Sequence, residues 1–249
     1  MGDFNGTLLR ASSVRSFHDN SEQWYNNHIL GEDKFEGNTS TYLGSVVHYF
    51  AEIYFSDKEM TMEQIIDEVL SEAGDDIDQE VIRDEAPEMC EVFERDYLST
   101  IEAPDYVELY NYIDDGSIRF QGTCDAIHGG VMVDYKTSKT PVKKIDGYIQ
   151  QLNIYAFLVS FKDIKIDTLR VVNIARRTKT LPPRVTILEC DADVNEGERL
   201  VRLMIDKARL ALKNPEFAHL IFTPNPYSFI SDGFNIETRI VPIIDTTEG

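Results

Sequence analysis

Apolar positions along this chain change period several times, and the changes divide it into elements. Val14, Phe17, Trp24, Tyr25 and Leu30 form one helical stripe over residues 12–30, with a break at Asn20-Ser21 and a glycine stop at Gly31. Residues 32–41 are polar and read as a loop. Val46, Val47, Phe50, Ile53 and Tyr54 predict a second helix from about Leu43 to Phe55. Two or more amphipathic helices follow over 60–100. Met62, Ile65, Ile66, Val69 and Leu70 line one; Val81, Ile82, Met89, Val92, Phe93, Tyr97 and Leu98 line the other, which Pro87 is expected to bend or divide.

The period then falls to two. Tyr106 to Ile113 alternates and is rich in aromatics, so it reads as a strand, and Asp114-Asp115-Gly116 reads as a turn. Residues 117–136 read as two strands joined at Gly129-Gly130, a strong two-residue hairpin signal. After a loop at Pro141 comes a mostly apolar helix over 145–161, strands over 167–175 and 185–190, and an amphipathic helix over 192–213. The tail, with Pro224, Pro226 and Pro242, reads as irregular. This order predicts an α/β fold, a mixed central β-sheet flanked by helices on both faces. We expect one domain over 1–249, with an acidic helical insertion at about 57–103.

The hairpin carries the candidate chemistry. With Gly129-Gly130 as its turn, His128 faces Val131, Ile127 faces Met132, Ala126 faces Val133 and Asp125 faces Asp134. Like charges placed across from each other are destabilising, so the pair calls for a cation. Lys136 lies two residues past Asp134, on the same face. Oxygen ligands suit Mg²⁺ or Mn²⁺. With Lys136 orienting a water or stabilising charge on a phosphate, the parts describe metal-assisted phosphodiester hydrolysis. The plainer alternative, polar residues flanking a solvated turn, sits poorly with the buried look of Val131-Met132-Val133. Gln151 and Tyr155, one helical turn apart, could face the hairpin and contact a phosphate, or could be surface residues. His48 and Glu52 are also one turn apart, and taken alone they read as a half-buried histidine bonded to a glutamate.

Charge sharpens this picture. The net charge of −20 argues against a nucleic-acid partner until its distribution is considered. Residues 57–108 hold 19 Asp/Glu against 3 Lys/Arg, whereas residues 136–184 hold 11 Lys/Arg against 3 Asp. The acidic block reads as an insertion with a charged outer face, with DNA mimicry or partner binding as its alternative. The basic strip suits a polyanionic substrate, or else compensates the acidic half. The three cysteines are far apart and odd in number, which fits free thiols in a reducing, cytoplasmic setting. No apolar run of 18 residues exists, so no membrane span is expected, and no secretory signal is visible.

Several of these residues together resemble a known family. Gly122-x-x-Asp125, Val133-Asp134-Tyr135-Lys136-Thr137 and Gln151-x-x-x-Tyr155 are similar to motifs of the RecB-like exonuclease branch of the PD-(D/E)XK nuclease superfamily. Leu43-Gly44-Ser45-Val46-Val47-His48, followed by Glu52, resembles that branch's upstream histidine motif, and Ser12 to Phe17 with Gln23-Trp24-Tyr25 resembles its N-terminal helix. The resemblance implies a restriction-endonuclease-like core, with His48, Asp125, Asp134 and the backbone carbonyl of Tyr135 as metal ligands. It implies Lys136 as the catalytic lysine, acting with Asp125 and Asp134, and Gln151 and Tyr155 as substrate contacts. Glu108, on the preceding strand, is a weaker candidate for a supporting acid. Many relatives carry four cysteines binding an iron–sulfur cluster. Asn20, Ser21 and a tail with serines but no cysteine stand at those places here, so no cluster is expected and the tail should be anchored by Phe222, Tyr227, Phe229 and Phe234.

The function implied is a Mg²⁺- or Mn²⁺-dependent deoxyribonuclease. It would be an exonuclease acting on single- or double-stranded DNA ends in recombination, repair or phage DNA processing, in the cytoplasm of a bacterial or phage-infected cell. A homo-oligomer or a phage or host recombination partner fits that reading. The rivals are a catalytically idle nuclease fold that binds DNA or protein, and a sequence-specific endonuclease.

Overall fold

The computed structural model describes residues 4–32, 37–71, 73–74, 76–223 and the backbone of 239–241. The strands are β1 (Thr7–Arg10), β2 (Tyr106–Asp114), β3 (Ile118–His128), β4 (Val131–Ser138), β5 (Thr168–Ala175), β6 (Arg184–Asp191) and β7 (Arg239–Val241). They form one sheet in the order β1-β3-β4-β5-β6-β7, and β2 also pairs with β3. β1/β3 and β4/β5 are parallel and the remaining pairs are antiparallel, so the sheet is mixed, as predicted.

Helices cover both faces. On one, α1 (Val14–Asp19), α2 (Ser21–Tyr25), α6 (Asp146–Ser160) and α7 (Val194–Lys213) surround a core that includes Trp24, Phe120, Leu152, Leu169 and Met204. The Trp24 indole N–H donates to Ser13 Oγ at 2.9 Å, which satisfies the one polar group of that buried ring. On the other face, α3 (Thr39–Tyr54), α4 (Met62–Leu70) and α5 (Gln79–Asp96) cover Val133, Tyr135, Val172 and Ile187. The short α8 (Ala218–Ile221) leads to Phe222, which stacks on Tyr25 at 4.8 Å between centroids. Tyr227, Phe229 and Phe234 lie outside the described residues.

Some local expectations change. The stripe over 12–30 does break at Asn20, whose side chain caps α2 by accepting from the Gln23 N–H. The second helix begins at Thr39, four residues before Leu43, because the Asn38 side chain accepts from the Thr41 N–H and caps it within the polar stretch. α5 runs unbroken through Pro87. An interior proline costs about 3 kcal/mol, but Ile82, Ala86, Met89, Cys90, Val92 and Phe93 are buried along both sides of it and hold one helix together. The hydrophobic pattern does not predict β1, since four residues give too little alternation to register.

Candidate metal centre

The registers around β3 leave a hole in the sheet. β2 runs along one edge of β3. On the other edge β1 ends with Arg10 opposite Gln121, and β4 pairs only with Ala126, Ile127 and His128. Residues 122–125 therefore have no strand beside them on that edge. The hairpin takes its expected register, turning through Gly129 and Gly130 at φ of 47° and 90°. The pairing stops just before Asp125 would meet Asp134. The Asp125 carboxylate instead accepts the Tyr135 N–H at 2.6 Å, and β4 leaves to follow β5.

The β2 edge is distorted at the same level. Val107 pairs with Ala126 and Leu109 with Cys124, but Glu108 and Asp125 between them do not pair. Glu108 has a φ of 47°, left-handed backbone that costs a non-glycine residue roughly 1–2 kcal/mol. Side-chain alternation on β3 slips there too: Cys124 and Ile127 join one core and Ala126 the other. Three acidic residues, Glu108, Asp125 and Asp134, thus stand at one level, and the ladder opens where they meet. Strain of this kind concentrates at functional positions.

α3 brings His48 to the hole. Its Nδ1 lies 3.3 Å from Asp125 Oδ1, so its partner is Asp125 rather than Glu52. Gly44 lets α3 approach β4, since a methyl there would lie 3.2 Å from Thr137 Oγ1. Ligand atoms of His48, Glu108 and Asp125 lie within 4.8 Å of one another. Asp134 is 2% exposed; its Oδ1 accepts from Lys136 Nζ at 2.8 Å, while its Oδ2 is buried with no hydrogen-bond partner. Lys136 Nζ also sits 5.9 Å from the Tyr148 ring centroid. From α6, Gln151 Nε2 donates to the Tyr155 hydroxyl at 2.7 Å. The Tyr155 ring packs against Gly122, where an added methyl would meet it.

Electrostatics tie the group together. Burial works against the His48 imidazolium, but the Asp125 carboxylate outweighs it and the pKa rises to about 8. Burial likewise opposes ionisation of Asp125, yet His48 and then Lys136 hold it below the usual carboxylate range. Asp134 is pushed up by burial, with the Asp125 charge adding to it against Lys136. Lys136 stays above its ordinary value because the two aspartates outweigh burial. Glu108 rises to about 7, by burial first and the Asp125 charge second. Three acidic groups thus face two cations, with Asp125 and Asp134 buried, His48, Glu108 and Lys136 partly open to solvent, and one carboxylate oxygen orphaned. Buried polar atoms are normally satisfied, and oxygen ligands with one imidazole suit a divalent cation.

The ligand atoms that converge are those of His48, Glu108 and Asp125. Asp134 stands outside that group in its ion pair with Lys136, Tyr135 meets it through the N–H that donates to Asp125, and Gln151 and Tyr155 pair with each other on α6. Glu108 stands closer to His48 and Asp125 than its place as a weaker candidate suggested; pairing β2 with β3 about the Asp114–Gly116 turn places it opposite Asp125. Sequence reasoning assigned Asn173 no role, although a lone amide in Val171-Val172-Asn173-Ile174 was a signal. Fully buried, it donates to Lys136 O at 3.0 Å and accepts from the Val142 N–H at 2.9 Å, fixing the backbone on both sides of the lysine's exit loop. Part of the basic strip proves compensatory. Arg176 pairs with Glu85 at 2.8 Å, and Arg177 with Asp84 and Glu88, all on α5. Lys139, Lys143 and Lys144 remain exposed after β4.

Comparison with known proteins agrees with this construction. The family model of the PD-(D/E)XK nuclease superfamily matches residues 9–218. The chain belongs to that superfamily, whose nucleases use divalent metals. A crystal structure of a Eubacterium rectale protein, provisionally described as an exonuclease, shares the fold with a TM-score of 0.57 and 16% identity, over 98% of this chain and 94% of that one. The crystal structure of SSO0001 aligns over 82% of this chain and 85% of its own at 16% identity, but its TM-score of 0.35 carries no argument. No curated protein matches the sequence. No described helix is long and apolar enough to cross a membrane.

Proposed function

We propose that this protein is a Mg²⁺- or Mn²⁺-dependent deoxyribonuclease of the RecB-like branch, acting as an exonuclease on DNA ends. The observation that carries the reading is the convergence of His48, Glu108 and Asp125 ligand atoms, together with the buried, unpartnered Asp134 Oδ2 and Lys136 held against the same carboxylate. His48, Asp125, Asp134 and the Tyr135 carbonyl would hold the cation, with Glu108 as a supporting acid. When bound, the cation supplies Lewis-acid polarisation of the phosphate and a nucleophile made from water at neutral pH. Lys136, cationic and anchored by Asp134, stabilises charge developing on the phosphate oxygens. Tyr155, fixed by Gln151, directs its hydroxyl toward the substrate. The E. rectale fold neighbour, provisionally described as an exonuclease, supports the choice of end-directed cleavage.

The test is purified protein with Mg²⁺ or Mn²⁺ on end-labelled linear DNA and matched circles, beside Asp134→Ala. Degradation of linear DNA alone, lost in the variant, is expected. Equal nicking of circles would make it an endonuclease. Silence with both metals and both substrates would leave a nuclease fold that binds without cutting.

A further inference from the structure

The open edge of β3 holds a cavity of about 290 Å³ between the end of β1 and the metal centre. Arg10, Ser12, Tyr110, Gln121, Thr123 and Tyr155 line it, with Gly122 and Ala11 between them, and no carboxylate does. Arg10 is exposed and makes no ion pair among the described residues. The Tyr110 hydroxyl donates to Gln121 Oε1 at 2.9 Å, which leaves the Gln121 amide N–H groups free to donate outward. The lining is thus a guanidinium, hydroxyl and amide donors, and the half-buried Tyr110 ring. Such a set takes a phosphate oxygen and a stacked base. Thr123 lies two strand residues from Asp125, roughly 6–7 Å along the chain, a step comparable to one nucleotide of an extended strand.

A second cavity, which His48 and Glu108 of the metal centre line, has the opposite character. It is larger, about 690 Å³, and Glu52, Glu68 and Glu108 line it with His48. Glu68 comes from α4, in the acidic insertion. A polyanion entering there would meet Glu52 and Glu68 before reaching the metal centre, and one entering the smaller cavity would meet no carboxylate.

We infer that the gap between β1 and β4 is a nucleotide subsite, in which Arg10 holds the phosphate next to the scissile one. The substrate is gripped on this side of the cut, away from the glutamate-lined cleft. The small volume takes one nucleotide unit of a single strand. This rests on the nuclease reading, which places the scissile phosphate at Asp125 and Asp134.

The test is binding without catalysis. A fluorescein-labelled single-stranded octanucleotide is titrated with protein in EDTA and followed by anisotropy, for wild type, Arg10→Ala and Glu68→Gln. Arg10→Ala should weaken binding about tenfold and reduce the slope of log affinity against log salt by about 0.7, the loss of one phosphate contact to a single strand. Glu68→Gln should bind as wild type or tighter. Both side chains are exposed enough to remove without unfolding, which the melting temperature checks. Arg10→Ala binding within twofold of wild type, no wild-type binding, or equal weakening by Glu68→Gln overturns the subsite. Cleavage by wild type and Asp134→Ala is measured on the same preparations. Asp134-dependent cleavage with unaltered Arg10→Ala binding removes the subsite alone. No cleavage, with Arg10→Ala binding still lost, removes the nuclease reading and keeps the subsite.

Discussion

Above the range in which Glu108 titrates, to about 7, raising the pH of the metal-free protein should weaken it through one contact, His48 with Asp125. The imidazole rises from 6.5 to about 8 in the fold, after burial and the Asp125 carboxylate have opposed each other. The imidazolium is therefore held more tightly folded than unfolded. Its contribution is fully present below pH 6.5 and is lost as pH rises through about 8. At about 1.4 kcal/mol per tenfold change in proton affinity, that is roughly 2 kcal/mol. The His48 side chain is 30% exposed, so solvent moderates the pair without erasing it. Glu108 also loses stability with rising pH, but over 4.5 to about 7, where its folded form keeps a proton that the unfolded chain has released. A His48→Gln control separates the two. Urea unfolding in EDTA at pH 6 and pH 9 should show wild type losing about 2 kcal/mol more than His48→Gln. Equal losses would refute the reasoning. Saturating Mn²⁺ should reverse the sense, because a metal takes the neutral imidazole: apparent affinity should tighten up to about pH 8.

Asp134→Asn should lose most of the metal-induced stabilisation, which at a hundredfold excess over Kd is about 2.7 kcal/mol, or roughly 5–11 °C in Tm, for wild type; equal Tm gains would contradict the ligand assignment. Lys136→Ala should lower kcat on DNA by about 10²–10³-fold with little change in KM, and a fall under tenfold would deny the lysine its role. Gly122→Ala should destabilise the protein by about 1–3 kcal/mol in urea unfolding, because the new methyl would overlap Tyr155 Cε1 and sit 3.0 Å from both Ala11 Cβ and Tyr155 Cδ1, side chains that are themselves buried. A change under about 0.5 kcal/mol would be that of an ordinary surface site and would contradict the close approach.

The hairpin at Gly129-Gly130 was legible because turn chemistry fixes register, and with it the facing of Ala126 and Val133. The next pair was not, because the Asp125 carboxylate takes the Tyr135 N–H and Asp134 takes Lys136, contacts that the turn does not encode. Glu108 shows a similar limit: its left-handed backbone falls where the β2–β3 ladder opens beside Asp125, and no local signal in Val107-Glu108-Leu109 encodes it. Helix faces were legible wherever burial is one-sided, as in α4 and α7. At Asn38 and Pro87, a cap and tertiary burial overrode local polarity and propensity. The basic strip was counted correctly but assigned without its partners; Arg176 and Arg177 meet the acidic helix α5 only through the fold.

The most direct test of the account is where a metal goes. Crystals grown with saturating Mn²⁺ should give an anomalous difference peak about 2 Å from the carboxylates of Asp125 and Asp134 and the imidazole of His48, with Lys136 beside it. A peak in the Glu52–Glu68 cleft instead, or none at all at saturating manganese, would contradict it.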